Sequence, residues 1–222
     1  MRTPAAALLF DLDGTLVDTD DLHFDAFVET MAPYGVALTR DDYRARVMGA
    51  ANEAIGATLL PHLSREDRER ALDAKEASYR ARLGRPTPTR GATALLDWAD
   101  ARGLATAVVT NAPRANADVV LEALGLARRF PEVVVAEELA RGKPDPLPYL
   151  TALERLGAAA AKSVAFEDSL SGIAAALGAG LAVVGITSGL TAERLVAAGA
   201  TLAAADFADP RVIALIEARR AT

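Results

Sequence analysis

Two aspartates, Asp11 and Asp13, follow an apolar run from Ala5 to Phe10, and Gly14 turns the chain immediately afterwards. Carboxylates two residues apart repel each other, so a purely structural chain gains little by placing them at the end of a buried strand. As a pair they can hold a divalent metal, and a carboxylate can attack a phosphate ester. Three further stretches carry groups suited to the same chemistry: Thr110-Asn111, Lys143 within RGKPDP, and the acidic pair Glu167-Asp168. Each also has a plainer reading. Asp11 and Asp13 suit a turn, Lys143 a surface loop, and Glu167 and Asp168 the start of a helix, where acids are favoured. Ser169 and Ser171 read as caps of the helix that begins with SGIAAAL.

These groups can act together only if the fold delivers them to one place. From Thr89 onward, short apolar runs alternate with Ala/Leu-rich helical stretches: LATAVVT (104–110), EVVVA (132–136), SVAFED (163–168) and LAVVGI (181–186). Runs apolar on both faces and separated by helices predict βαβ units of a parallel sheet, which the opening run Ala5–Phe10 joins. In such a sheet, ligands bind beyond the carboxyl ends of the strands, where all four polar stretches fall. Residues from about 19 to 85 differ, being rich in Asp, Arg, Glu and Ala with apolar spacing of three to four. Within them, Arg65–Leu83 predicts a charged amphipathic helix with Leu72, Tyr79 and Leu83 among its apolar positions. GRPTPTRG (84–91) is punctuated by Pro and Gly as a hinge would be.

The 222 residues, 51% of them hydrophobic, suffice for one sizeable core with a small appended unit. A net charge of −6 argues against general nucleic-acid or anionic-membrane binding, which needs a basic face. The chain has no cysteine, hence no disulfide or thiol chemistry. The opening apolar run is short for a signal peptide, and no stretch approaches the roughly 18–20 apolar residues of a membrane span. The expectation is a cytoplasmic protein.

DLDGT, VVTN, GKPDP and FEDS, in that order and at sensible spacing, resemble the four motifs of the haloacid dehalogenase-like hydrolase superfamily, in its β-phosphoglucomutase-like branch. The resemblance covers nearly the whole core. It implies an α/β fold, a Rossmann-like parallel sheet flanked by helices, over residues 1–17 and 88–222. It places a small α-helical cap, inserted after the first strand, over residues 18–87. It makes Asp11 the nucleophile and Asp13 the acid that protonates the leaving alcohol and then activates water, its backbone carbonyl also on the metal. It makes Asp168 a Mg²⁺ ligand and Glu167 either a ligand or an anchor behind one. Lys143 pairs with the phosphoryl group, the Thr110 hydroxyl binds a phosphoryl oxygen, and the Asn111 N–H assists. Dehalogenases differ at the second aspartate, since a halide needs no proton, so Asp13 favours phosphoryl transfer.

DTDDLHFDAF (18–27) is similar to the start of the branch's cap and puts His23 at a position that contacts the site; a lone helix histidine is otherwise a packing residue. RVMGAANEAIGATLL (46–60), with Gly49 and Asn52, corresponds to its specificity loop. β-Phosphoglucomutases carry a lysine and an arginine flanking that glycine, where this chain has Met48 and Asn52, which disfavours mutase chemistry. Lys75 and Tyr79 share a helix face, with Lys75 either reaching the cleft or exposed to solvent. The resemblance is nearest to broad-specificity sugar-phosphate phosphatases. It implies a Mg²⁺-dependent, monomeric phosphatase of small phosphorylated sugars or polyols, working through an aspartyl-phosphate. The rivals are a hexose-phosphate mutase and a non-catalytic metabolite-binding protein.

Overall fold

The computed structural model describes residues 6–221. Six parallel strands form one sheet: β1 (Ala7–Phe10), β2 (Ala105–Thr110), β3 (Glu132–Val135), β4 (Val164–Glu167), β5 (Ala182–Ile186) and β6 (Leu202–Ala204), in the order β3-β2-β1-β4-β5-β6. Five are the apolar runs read from the sequence; Ala5, expected to open the first, lies outside the described residues. β6 was not anticipated, because three residues at a sheet edge, two of them alanine, carry no periodic signal.

Both faces of the sheet are covered, which is why its strands are apolar throughout. Leu8, Phe10, Val108 and Phe166 point to one side, where the Phe10 and Phe166 rings stack at 4.7 Å. Ala7, Leu9, Val109 and Val183 point to the other, against Tyr149 and Ile173. The chain runs outward from β1 through β2 to β3, then returns to the opposite side of β1 at β4. β1 is therefore flanked by β2 and β4, and the loops after these three strands share one crevice at the point where the strand order reverses.

Between β1 and α5 (Ala92–Asp100) lie four α-helices: α1 (Asp20–Met31), α2 (Arg40–Arg46), α3 (Asn52–Leu59) and α4 (Arg65–Arg82). They close around Phe27, Met31, Tyr43, Ile55 and Leu72. Ser64 starts α4 by accepting from the Asp67 N–H, and Thr39 starts α2 in a capping box with Asp42. As the sequence predicts, α4 is polar outside and buries Leu72 and Tyr79. The two chain crossings that join this layer to the sheet are tied together: the Thr89 N–H donates to the Leu16 carbonyl at 2.8 Å, and its hydroxyl to that of Thr15 at 2.7 Å. The remaining helices, α6 (Arg114–Ala123), α7 (Leu147–Leu156), α8 (Leu170–Gly178), α9 (Ala192–Ala197) and α10 (Pro210–Arg220), flank the sheet.

Candidate active site

Asp11 is the first residue past β1, and the chain then coils tightly, with the Gly14 N–H donating to the Val17 carbonyl at 2.7 Å. Gly14 has φ +78°, and a Cβ there would lie 2.2 Å from Asp168 Oδ2. Only glycine lets the first loop approach the acid from β4 this closely. Glu167 makes a comparable demand on Gly172, where an added Cβ would lie 1.9 Å from its Oε2.

Lys143, on the loop before α7, is buried with its Nζ 2.6 Å from Asp11 Oδ1 and 2.5 Å from Glu167 Oε1. The Tyr149 hydroxyl donates to that same Glu167 oxygen at 2.6 Å. Asp11, Glu167 and Asp168 each offer an oxygen, all within 4.8 Å of one another. Burial pushes Asp11 up to about 7 against the pull of Lys143, with Glu167 and Asp13 adding to the rise. Burial, then Asp11 and Glu167, raise Asp168 well above the ordinary carboxylate range. Three crowded acids facing one ammonium carry an excess of negative charge, and hard oxygen donors suit Mg²⁺. The residues fit that ion.

A test of charge crowding follows. A carboxyl raised from 3.8 to about 7 on folding stabilises the protein while protonated, and that contribution fades as pH rises from about 4 through 7. In EDTA the melting temperature is expected to fall across this window. Added Mg²⁺ should raise it more at about pH 8 than at about pH 5, because an ion held there would be met by ionised carboxylates only at the higher pH. A Mg²⁺ increment independent of pH would contradict the crowding.

Asp13 is held differently. Its Oδ1 accepts from the Thr19 hydroxyl at 2.7 Å and the Tyr79 hydroxyl at 3.1 Å, and lies 3.4 Å from His23 Nε2. Burial works against its charge, but His23, Thr19 and Tyr79 outweigh it and keep Asp13 below the usual carboxylate range. Its carboxylate turns toward the helices, outside the three-acid cluster; the sequence reading gave the metal only its backbone carbonyl.

Thr110, at the end of β2, is buried, and its hydroxyl accepts from the Ala112 N–H at 3.0 Å. The Asn111 side chain has a bridging role that the sequence did not reveal. Its Oδ1 accepts from the Lys143 N–H at 3.0 Å, while Nδ2 donates to the carbonyls of Lys143 at 3.1 Å and Gly49 at 3.0 Å. The Gly49 carbonyl also accepts from the Ser171 hydroxyl at 2.7 Å. Ser169 caps α8 as expected, accepting from the Gly172 N–H, but Ser171 does not; it is spent on the contact between sheet and helical layer.

His23 stacks on Tyr79 with ring centroids 3.8 Å apart. Lys75 is buried rather than exposed, its Nζ 2.8 Å from His23 Nδ1 and 3.0 and 3.1 Å from the two Glu76 oxygens. Glu76 Oε2 accepts from the Asn116 amide at 2.7 Å, and Asn116 Oδ1 from Arg80 at 2.7 Å, which joins α4 to α6. One cleft is lined by Asp11, Asp13, Thr110, Asn111, Lys143 and Asp168 from the sheet side, and by His23, Gly49, Asn52 and Lys75 from the helices. Of the candidate catalytic, metal and substrate residues read from the sequence, only Glu167 is absent from this lining. Thr19, Glu76 and Tyr149 were missed; only the place of Tyr149, six residues past Lys143, hinted at a role.

Residues 8–186 match the model of a family described as haloacid dehalogenase-like hydrolase. The chain is 35% identical to a phosphoglycolate phosphatase of Rhodospirillum rubrum, over 91% of this chain and 88% of that protein. It is 33% identical to a phosphorylated carbohydrates phosphatase of Thermotoga maritima, over 79% and 82% respectively. A crystal structure of a CbbY mutant from Rhodobacter sphaeroides in complex with xylulose-(1,5)-bisphosphate superposes with a TM-score of 0.83 at 29% identity, covering 92% of this chain and 96% of that one.

Proposed function

The chain belongs to the haloacid dehalogenase-like hydrolase family, and on that premise we propose that it is a Mg²⁺-dependent phosphatase of small phosphorylated sugars or polyols, acting through an aspartyl-phosphate on Asp11. The observation that carries this reading is the placement of Asp11 between Lys143 and the acids at the end of β4, in a cleft that Asp13 lines from the same side. The phosphatase names of the curated relatives support hydrolysis of a phosphoric monoester.

In the proposed reaction an Asp11 carboxylate oxygen attacks phosphorus, and the bond from phosphorus to the leaving oxygen breaks. Asp13, ionised in the free site, takes up a proton from solvent as the anionic ester binds beside it and passes that proton to the leaving oxygen. A water then attacks the phosphoryl group on Asp11, Asp13 takes the water's proton, and inorganic phosphate leaves. Lys143 and the Thr110 hydroxyl face the phosphoryl oxygens and offset the charge that develops there. Asp11, Asp168 and the Asp13 carbonyl would hold Mg²⁺, with Glu167 beside them; the ion would neutralise both the nucleophile and the anionic ester. Thr19 and Tyr79 fix Asp13 Oδ1. Residues 18–87 act as the cap, which excludes bulk water and contacts the leaving group through His23, Gly49, Asn52 and Lys75.

Phosphate release from a panel of sugar and polyol phosphates, with Mg²⁺ and with EDTA, tests the reading. Metal-dependent release from several substrates is expected. Conversion of β-glucose 1-phosphate into its isomer with little free phosphate would instead establish a mutase.

A further inference from the structure

The cleft has two ends of different character. Lys143, Asp11 and Asp168 make the phosphoryl end. Toward the leaving group, the wall is Phe27, Val47, Met48 and Ile55, with the Asn52 amide among them. Among the described residues lining the cleft, the only ammonium beyond Lys143 is Lys75; His23 also lines it, its Nδ1 facing Lys75 and its Nε2 3.4 Å from Asp13 Oδ1. Lys75 is already spent. An ammonium has three donors, and those of Lys75 meet both Glu76 oxygens and His23 Nδ1, with the side chain 3% exposed. Glu76 is fixed in turn by the Asn116 amide, which donates to its Oε2 at 2.7 Å. Asp20 adds a further carboxylate to the lining, near the Tyr43 hydroxyl at 3.4 Å.

A second anion on the substrate would therefore meet the Asp20 carboxylate and a Lys75–Glu76 pair with no net positive charge, and no free cation among the lining residues to answer it. We infer that the cleft takes phosphate monoesters of uncharged alcohols and discriminates against esters whose leaving group carries a carboxylate or a second phosphate. The inference rests on the phosphatase reading and narrows it, and it separates this chain from a relative named for phosphoglycolate and from a neighbour that binds a bisphosphate.

Matched substrates isolate the charge: 2-hydroxyethyl phosphate against phosphoglycolate, glycerol 3-phosphate against 3-phosphoglycerate, and glucose 6-phosphate against glucose 1,6-bisphosphate, all with Mg²⁺. The expected result is a kcat/KM about 10- to 100-fold higher for the uncharged member of each pair, as like-charge juxtaposition implies. Equal or reversed ratios, with turnover present, would overturn the inference and leave the phosphatase standing. No Mg²⁺-dependent release from any of the six would overturn both. Glu76→Gln frees Lys75 and should shrink the ratio, chiefly through a lower KM for the acidic member; Asn52→Lys, on the cleft wall, should do the same without touching the Glu76–Asn116 link. Ratios unchanged in both variants would contradict the assignment of selectivity to missing positive charge.

Discussion

Asp11→Asn is expected to abolish turnover, by more than about 10³-fold in kcat, while leaving the fold as stable as before or more so. The two effects separate because Asp11 has two roles. As the proposed nucleophile it cannot be replaced by an amide. As a buried charge it is held at a cost: burial, Glu167 and Asp13 all oppose its ionisation, and Lys143 keeps Glu167 as a partner when Asp11 is gone. A melting curve in EDTA and phosphate-release kinetics with Mg²⁺ together check this. Near-normal activity would contradict covalent catalysis, and a collapsed melting temperature would contradict the account of charge crowding.

Lys143→Met is expected to fail in both respects. Burial alone would strip the Lys143 proton, but Asp11 and Glu167 more than restore it and raise its pKa. Removing this ammonium leaves two buried carboxylates without their counter-charge, which costs about 3–5 kcal/mol when a buried pair is broken. Activity should fall by a further 10²- to 10³-fold or so beyond any loss of folded protein, the scale seen when a preorganised electrostatic donor is removed. Because a divalent ion answers the same excess charge, Mg²⁺ should recover much of the stability and little of the rate. Denaturant melts and kinetics on the Mg²⁺-saturated variant distinguish these parts; a variant as active as the parent would remove Lys143 from the phosphoryl site.

The contrast between these variants reflects what a linear sequence can and cannot carry. The sheet was legible because a strand buried on both faces is apolar at every position, as in LATAVVT and SVAFED, and because helices of ordinary length separate such runs. The sheet-side residues of the site were legible for the same reason. A parallel sheet puts strand ends at one edge, so Asp11, Thr110 and Asp168 needed only their place after a strand to be grouped. β6 escaped because its position is decided by pairing with β5 rather than by its own composition. The helical side was read less completely. Lys75 and Glu76 are consecutive on α4, and neighbours at that spacing do not ordinarily face each other on an exposed helix. They pair here because burial in the cleft turns both side chains toward His23 and Asn116, partners 52 and 40 positions away in sequence. Tyr79 read as an apolar position, which it is, yet its hydroxyl emerges at Asp13. Ser171 read as a cap because serine at a helix start usually is one; the Gly49 carbonyl, 122 positions away in sequence, claimed it instead. These are tertiary contacts between segments whose spacing holds no period.

The central claim is that Asp11 carries the phosphoryl group during turnover. Acid quenching of the Mg²⁺-loaded enzyme while it turns over a neutral polyol phosphate, followed by peptide mass mapping, tests that claim most directly. One phosphoryl group is expected on the peptide bearing Asp11, absent in Asp11→Asn and absent when Mg²⁺ is withheld. Steady phosphate release with that peptide never modified, or with the label on another residue, would contradict it.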